Sequence, residues 1–357
     1  VKGDRRSGGR IVFIEPLVRC PRELVGAQPL NFGSYLEKMD SLLHHFWGEL
    51  LQRGDIIGNP GPPPMSSGDQ IIVTDGGGRF SIHNSPLTES AALGFEIGYS
   101  IDATKDLVIW EAQFGDFANV AQVMIDQFLV SSDAKWRQPC GLVLFLPHGL
   151  EGQGPEHSSA RPERFLQLCA RGNMDVVYLT TASQVFHRLR LQALSRANRP
   201  LIVFTPKRML QHAGASSTLD DLCDGRFREI LAAPPPEGAK QLLLCCGQVA
   251  AELESERKKR KAPAAIVRLE QLYPFPRDAL ERRLADHAPG IPVTWVQEEP
   301  ENMGPWRWLR PQLEELLEGR VIRCVARPER VSPATGSMAI HQREQRHLLD
   351  AAFCPPD

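Results

Sequence analysis

From residue 80 onward the chain alternates short apolar runs with amphipathic stretches, and this constrains the fold more than any other feature. The runs at 107–112, 141–147, 175–180, 200–205, 241–246, 265–270, 292–297 and 321–326 are six or seven residues long. They are rich in Val, Ile and Leu, as strands buried on both faces are. Between and after them, 87–99, 117–129, 164–171, 183–196, 247–258, 276–287, 305–317 and 337–353 carry apolar residues at helical spacing. The stretch 117–129 places Phe117, Val120, Ala121, Met124, Ile125 and Phe128 on one helical face. Strands alternating with helices imply an α/β protein with doubly wound, mostly parallel sheets. Gly214-Ala-Ser-Ser-Thr218 and Ala233-Pro-Pro-Pro-Glu-Gly238 mark 208–239 as a crossing linker. Two sheets are therefore expected, in domains spanning 80–207 and 240–357, and the second shows no evident catalytic cluster of its own.

Residues 1–79 carry less information. Residues 11–14 suit a strand, 35–53 an amphipathic helix and 58–68 a loop. Asp75-Gly-Gly-Gly78 lacks the Lys-Ser/Thr of a phosphate loop and reads as a turn. His44-His45 has no third ligand at useful spacing. The chain opens Val1-Lys-Gly-Asp-Arg-Arg, which is neither a signal peptide nor a start at Met, so a fragment of a longer chain is expected.

A formal net charge of -2 over 357 residues calls for neither nucleic acid nor an anionic membrane as partner. No apolar run approaches the ~20 residues of a spanning helix. The eight cysteines include no CxxC and sit mostly in apolar runs, as buried free thiols do.

Candidate chemistry gathers where strands give way to helices, the crevice in which open α/β sheets bind ligands. The stretch 147–161, with His148, Glu151, Glu156, His157, Arg161 and three glycines, follows the apolar run 141–147. The stretch 110–119 sets Glu111, Gln113, Asp116 and Asn119 among Trp110, Phe114 and Phe117, which suits a flat heteroaromatic ligand. Glu89 stands at a helix start, where an acid is also unremarkable on dipole grounds. The fourth stretch, 295–306, holds Glu298, Glu299 and Glu301. The basic run 257–261 reads as a solvated helix end.

These stretches together resemble a known family. NSPLTES (84–90), IWEAQFGDFANVAQVMIDQF (109–128), GLEGQGPEHSSARPERFLQLC (149–169), IVRLEQLYPFP (266–276) and QEEPENMGPW (297–306) are similar to the decarboxylating first component of 2-oxoglutarate dehydrogenase and its 2-oxoadipate-using relatives. RPLIVFTPKRML (199–210), SPATGS (332–337) and HQREQ (341–345) extend the resemblance over more than three quarters of the chain.

The resemblance implies a transketolase-like pyrimidine-binding domain at 80–207 and a transketolase-type C-terminal domain at 240–357. It implies thiamine diphosphate as cofactor, with Glu89 hydrogen-bonded to a pyrimidine nitrogen and Gln113, Phe114 and Phe117 lining that ring. Glu89 is then expected in a dry pocket with a raised pKa. His157 is implied to face the substrate-derived adduct, and His148 to order the loop. The Mg2+ ligands belong to the family's diphosphate-binding domain, whose Gly-Asp-Gly motif this chain does not contain, so no metal ligand is expected here.

The implied partners are a second copy in a homodimer, a lipoyl-bearing succinyltransferase and a small 2-oxo acid. The implied compartment is bacterial cytoplasm or mitochondrial matrix. Two other readings stand beside this one: a truncated non-catalytic interaction or regulatory module, and a 2-oxoadipate-specific homologue. A serine hydrolase using His157 and Ser158 lacks the Gly-x-Ser-x-Gly elbow.

Overall fold

The computed structural model describes residues 10–13, 87–195, 198–318 and 322–354. The features read at 35–53, 58–68 and 75–78, and the His44-His45 pair, lie outside the described residues. Two sheets form the frame. The first has six strands in the order β1-β2-β3-β5-β4-β9: Arg10–Phe13, Leu107–Glu111, Val143–Pro147, Leu201–Thr205, Asp175–Tyr178 and Gln271–Tyr273. The four inner strands are parallel and the two edge strands antiparallel. The second sheet runs β11-β10-β7-β8-β6: Arg323–Arg327, Val293–Pro300, Gln241–Cys245, Ala264–Leu269 and Ile230–Ala232. Only β6 is antiparallel there. Inner strands β5, β7 and β10 are buried at every position, which explains the apolar runs of β5 and β7, whereas β10 also buries Thr294, Gln297, Glu298 and Glu299.

Helices α1 (Glu89–Asp102) and α3 (Ala182–Leu194) start where Thr88 and Thr181 turn their hydroxyls onto free backbone N–H groups. Helix α2 (Pro162–Gln167) opens on a proline. Helix α5 (Val249–Arg260) ends in its basic run, where Arg260 pairs with Glu256 and with Asp350 of the closing helix Met338–Phe353. The run is thus a solvated helix end.

The structure departs from the sequence reading in three places. Residues 117–129 are not one α-helix. A 3-10 turn (Gly115–Ala121), one short α turn (Gln122–Met124) and a π turn (Ile125–Leu129) succeed one another. The change of period turns Val120 and Phe128 outward while Ala121 and Ile125 stay buried. The stretch 208–239 is not a plain linker, for it contains α4 (Leu219–Cys223), capped by a Thr218–Asp221 box, and strand β6.

The third departure is β9. It follows β8 of the second sheet after one residue, yet pairs with β4 of the first. That residue, Glu270, is fully buried; its carbonyl accepts from Tyr178 N at 2.8 Å and its carboxylate from Thr180 N at 3.0 Å. One apolar core, from Leu93 and Trp110 to Leu242, Trp295 and Leu309, joins both sheets. The seven cysteines among the described residues are free thiols.

Candidate functional site

Strands β2, β3 and β5 lie side by side and end at the same edge, so the segments leaving them converge. Gly115 makes their approach possible. A Cβ there would stand 2.3 Å from Pro147 O and 2.4 Å from the Ala160 Cβ, closer than any side chain tolerates. The loop after β3 is closed at its neck by Gly149 N donating to Ser158 O at 3.0 Å. Ser159 N donates to Asp116 Oδ1 at 3.2 Å, tying this loop to the one after β2.

That closure brings most of the expected site residues together. The His157 ring meets Phe114 edge-on, with 4.4 Å between centroids, and Phe117 at 6.0 Å. Phe114 and Phe117 are themselves 5.6 Å apart. Both phenylalanines are half-buried, whereas His157 and Gln113 are exposed. Lys207, just past β5, places Nζ 3.6 Å from the Phe114 centroid and donates to Gln113 O at 2.7 Å. The sequence reading missed this lysine. Its signal was present, since a Lys two residues beyond a buried parallel strand lies at the ligand edge of such a sheet.

Glu89 occupies the first turn of α1 and is partly exposed, so this chain by itself does not enclose it in a dry pocket. Its neighbour Ser90 donates through Oγ to Val120 O, which sets the start of α1 against the 115–121 turn. Asp116 is 6 % exposed and its Oδ2 has no hydrogen-bond partner. It borders a cleft of about 230 Å³ with Asn119, Glu156, Arg161 and Ser332. Burial raises the Asp116 pKa against the opposing Ser159 N–H and the charges of His148 and Arg161.

A second cluster lies beneath the loop, buried between the sheets. His148 is 2 % exposed, with its Nδ1 accepting from Ala160 N at 3.1 Å and its Nε2 2.8 Å from Glu299 Oε1. The Ala160 N–H fixes the tautomer: the ring proton sits on Nε2 and is donated to Glu299. Glu298 accepts from Leu150 N at 3.2 Å and from Gln248 Nε2 at 2.6 Å. Tyr178 donates to His148 O at 3.0 Å. Burial and then the Glu299 charge push the Glu298 carboxyl up to about 8. Burial opposes charge on His148, but the Glu299 hydrogen bond and the charges of Glu298, Glu299 and Glu163 outweigh it and raise its pKa. The second sheet therefore does contribute to the site region, through Glu298 and Glu299 of the candidate stretch 295–306 at the end of β10.

The rim of two phenyl rings, an exposed amide and a cation-backed ring face fits a flat nitrogen heterocycle by the chemistry of its donors. Among the described residues no group of three or more His, Cys, Asp or Glu side chains could hold a metal ion.

Two mostly parallel sheets with a convergent strand-end crevice define a doubly wound α/β protein. The model of the transketolase pyrimidine-binding domain matches residues 19–212, and that of the 2-oxoglutarate dehydrogenase C-terminal region matches 216–353. The first match begins inside 1–79, the segment whose sequence alone suggested no assignment. The chain is 44% identical over 303 residues to the 2-oxoglutarate dehydrogenase E1 component of Geobacillus sp. (strain WCH70), covering 81% of this chain and 32% of that protein. It is 45% identical over 281 residues to the E1 component of Haemophilus influenzae, covering 77% and 30%. The E1 component of Cupriavidus necator is 46% identical over 286 residues, covering 79% and 30%. The chain belongs to the 2-oxoglutarate dehydrogenase E1 family. It spans about a third of the length of the curated relatives it matches.

Proposed function

We propose that this chain supplies the pyrimidine-side and C-terminal parts of a thiamine-diphosphate-dependent E1, which decarboxylates 2-oxoglutarate and passes the acyl group to a lipoyl-bearing succinyltransferase. The observation that carries the reading is the His157–Phe114–Phe117 constellation at one strand-end edge, with Gln113 beside it and the Glu89 helix packed on the same turn. When bound, the cofactor supplies the carbanion chemistry that removes carbon dioxide. Gln113, Phe114 and Phe117 hold its aminopyrimidine by stacking and an amide contact. Glu89 holds a proton at a ring nitrogen. His157, on its exposed face, donates to oxygen that gains charge during the reaction and returns the proton during acyl transfer.

Magnesium, which such a cofactor's diphosphate requires, would take its ligands from outside the described residues. We divide the chain functionally between residues 207 and 240, following the change from the first sheet to the second. Exposed Phe95, Val120, Val123 and Phe128 on α1 and the 115–129 segment support a homodimer, because a second copy would cover them. No described helix is long and apolar enough to cross a membrane, and the relatives named above are bacterial, which supports cytoplasmic placement. The test is carbon dioxide release from 2-oxoglutarate by the full-length protein with thiamine diphosphate, Mg2+ and an artificial electron acceptor. Turnover that disappears on His157→Ala supports the reading. Turnover untouched by both His157→Ala and Glu89→Gln overturns it.

A further inference from the structure

We propose that Glu299 is a positioning residue for this reaction: from the second sheet, through His148, it fixes the loop of the first sheet that presents His157. The inference rests on the function proposed above for His157. It deepens that reading by assigning a task to a carboxylate that touches none of the crevice rings.

The geometry runs from Glu299 to His157 in three steps. Glu299 Oε1 takes the Nε2 proton of His148. With that proton placed, Nδ1 keeps its lone pair and accepts from Ala160 N. Ala160 is three residues past His157, and Ser159 between them is held by Asp116. Remove the acceptor at Glu299 and the buried Nε2–H has no partner, so the ring either turns away from Ala160 N to find one or shifts its proton to Nδ1. The alternative form would point an Nδ1 proton at the Ala160 N–H, two donors 3.1 Å apart. The loop end would then move, and His157 would leave its edge-on contact with Phe114.

The rest of the cluster serves the same loop. Glu298 at the end of β10 and Gln248 at the start of α5 hold Leu150 by its N–H and its carbonyl, at 3.2 and 3.3 Å. Tyr178 holds the His148 carbonyl. Glu151 accepts from Arg208 N at 2.7 Å, fastening the loop to the exit of β5. Both ends of the 148–160 loop are therefore gripped by buried polar groups, while its tip carries exposed Glu156 and His157. A buried imidazole–carboxylate hydrogen bond is a poor way to gain stability, since apolar residues of the same volume do as well or better. Its placement at the loop neck is what its chemistry explains.

The test is hydrogen–deuterium exchange on the full-length protein and its Glu299→Ala and Glu299→Gln variants, without substrate or cofactor. In Glu299→Ala, peptides covering 148–161 should exchange roughly tenfold faster or more, as loss of a buried hydrogen bond predicts. Peptides covering 241–245 and 264–269 should keep their protection. Glu299→Gln still offers Oε1 to the Nε2 proton and should exchange like the unmodified protein. If Glu299→Ala does not fold, Glu299→Leu keeps the volume without the acceptor and should show the same loop-confined loosening. In turnover, the acceptor-free variant should lose about 10- to 100-fold in kcat with KM for the 2-oxo acid unchanged, and Glu299→Gln should recover it. Three results overturn the proposal: unchanged exchange at 148–161, loosening spread evenly over both sheets, or a Gln variant no better than the acceptor-free one. Absence of 2-oxo acid turnover in the unmodified protein, with loop exchange as predicted, would count against the proposed function instead.

Discussion

Lys207 Nζ lies 3.6 Å from the centroid of Phe114 and donates to Gln113 O at 2.7 Å, so one cation fixes two of the three residues expected to line the aminopyrimidine. A cation–π contact and one hydrogen bond are together worth about 1–2 kcal/mol at a partly exposed site. Lys207→Met in the full-length protein should therefore weaken thiamine diphosphate binding about 5- to 30-fold. Titrating the apo-protein with the cofactor measures this, and an unchanged affinity would remove Lys207 from the site.

Gly115 marks the closest approach of the two loops. An alanine Cβ there would enter Pro147 O and the Ala160 Cβ, both held by strand and loop backbone. Gly115→Ala should cost about 1–3 kcal/mol as the loops are forced apart. Thermal unfolding should fall by several degrees. Because the strain acts on Ala160, the contact between His157 and Phe114 should loosen as well. A variant as stable as the parent would show that the two loops separate without cost.

How far the sequence revealed this site follows from which interactions are local. Parallel strands buried on both faces announce themselves as apolar runs, so β2, β3, β4, β5, β7, β8 and β10 were legible within a residue or two at most ends. The pair His157 and Phe114 was legible only because each lies in a motif shared with a family; nothing in their spacing of 43 residues predicts a contact. Strand β9 was missed because three residues, Gln271–Tyr273, carry no period, and they leave the sheet of the preceding strand β8 to pair with β4. The 117–129 segment misled because 3-10, α and π turns share a similar apolar count while turning different side chains inward. The His148–Glu299 pair spans 151 residues and both sheets. A long-range buried contact of that kind leaves two ordinary polar residues in the sequence and no sign that they meet.

Glu298 makes stability depend on pH with a definite sign. Its carboxyl is lifted from 4.5 to about 8 by burial, then by the Glu299 charge, against His148, Gln248 and Arg327. Between those values the folded protein binds a proton that the unfolded chain has released. The Glu298 contribution is fully present below the unfolded pKa and is lost as pH rises through about 8. His148, also raised, acts in the same direction. Unfolding temperature should therefore fall between pH 6 and pH 9, and Glu298→Gln should flatten that slope because an amide has no proton to lose. A slope identical in the variant would assign the pH dependence to other groups.

Glu89 and His157 should fail in different ways. Glu89 stands in the first turn of α1, on the side of the crevice where the aminopyrimidine is proposed to lie, and is proposed to act on the cofactor. Glu89→Gln should lower kcat about 100- to 10,000-fold, the range for removal of a proton-transfer group, whatever 2-oxo acid is supplied. His157 is exposed and meets Phe114 edge-on, on the side where the substrate is proposed to react. His157→Ala should cost about 100- to 1,000-fold in kcat, as loss of one donor to developing charge does, while cofactor affinity stays as in the parent. Measuring kcat together with cofactor titration for both variants separates the roles. If His157→Ala weakened cofactor binding as much as it slowed turnover, the histidine would be a wall of the cofactor pocket and not a donor to the reacting oxygen.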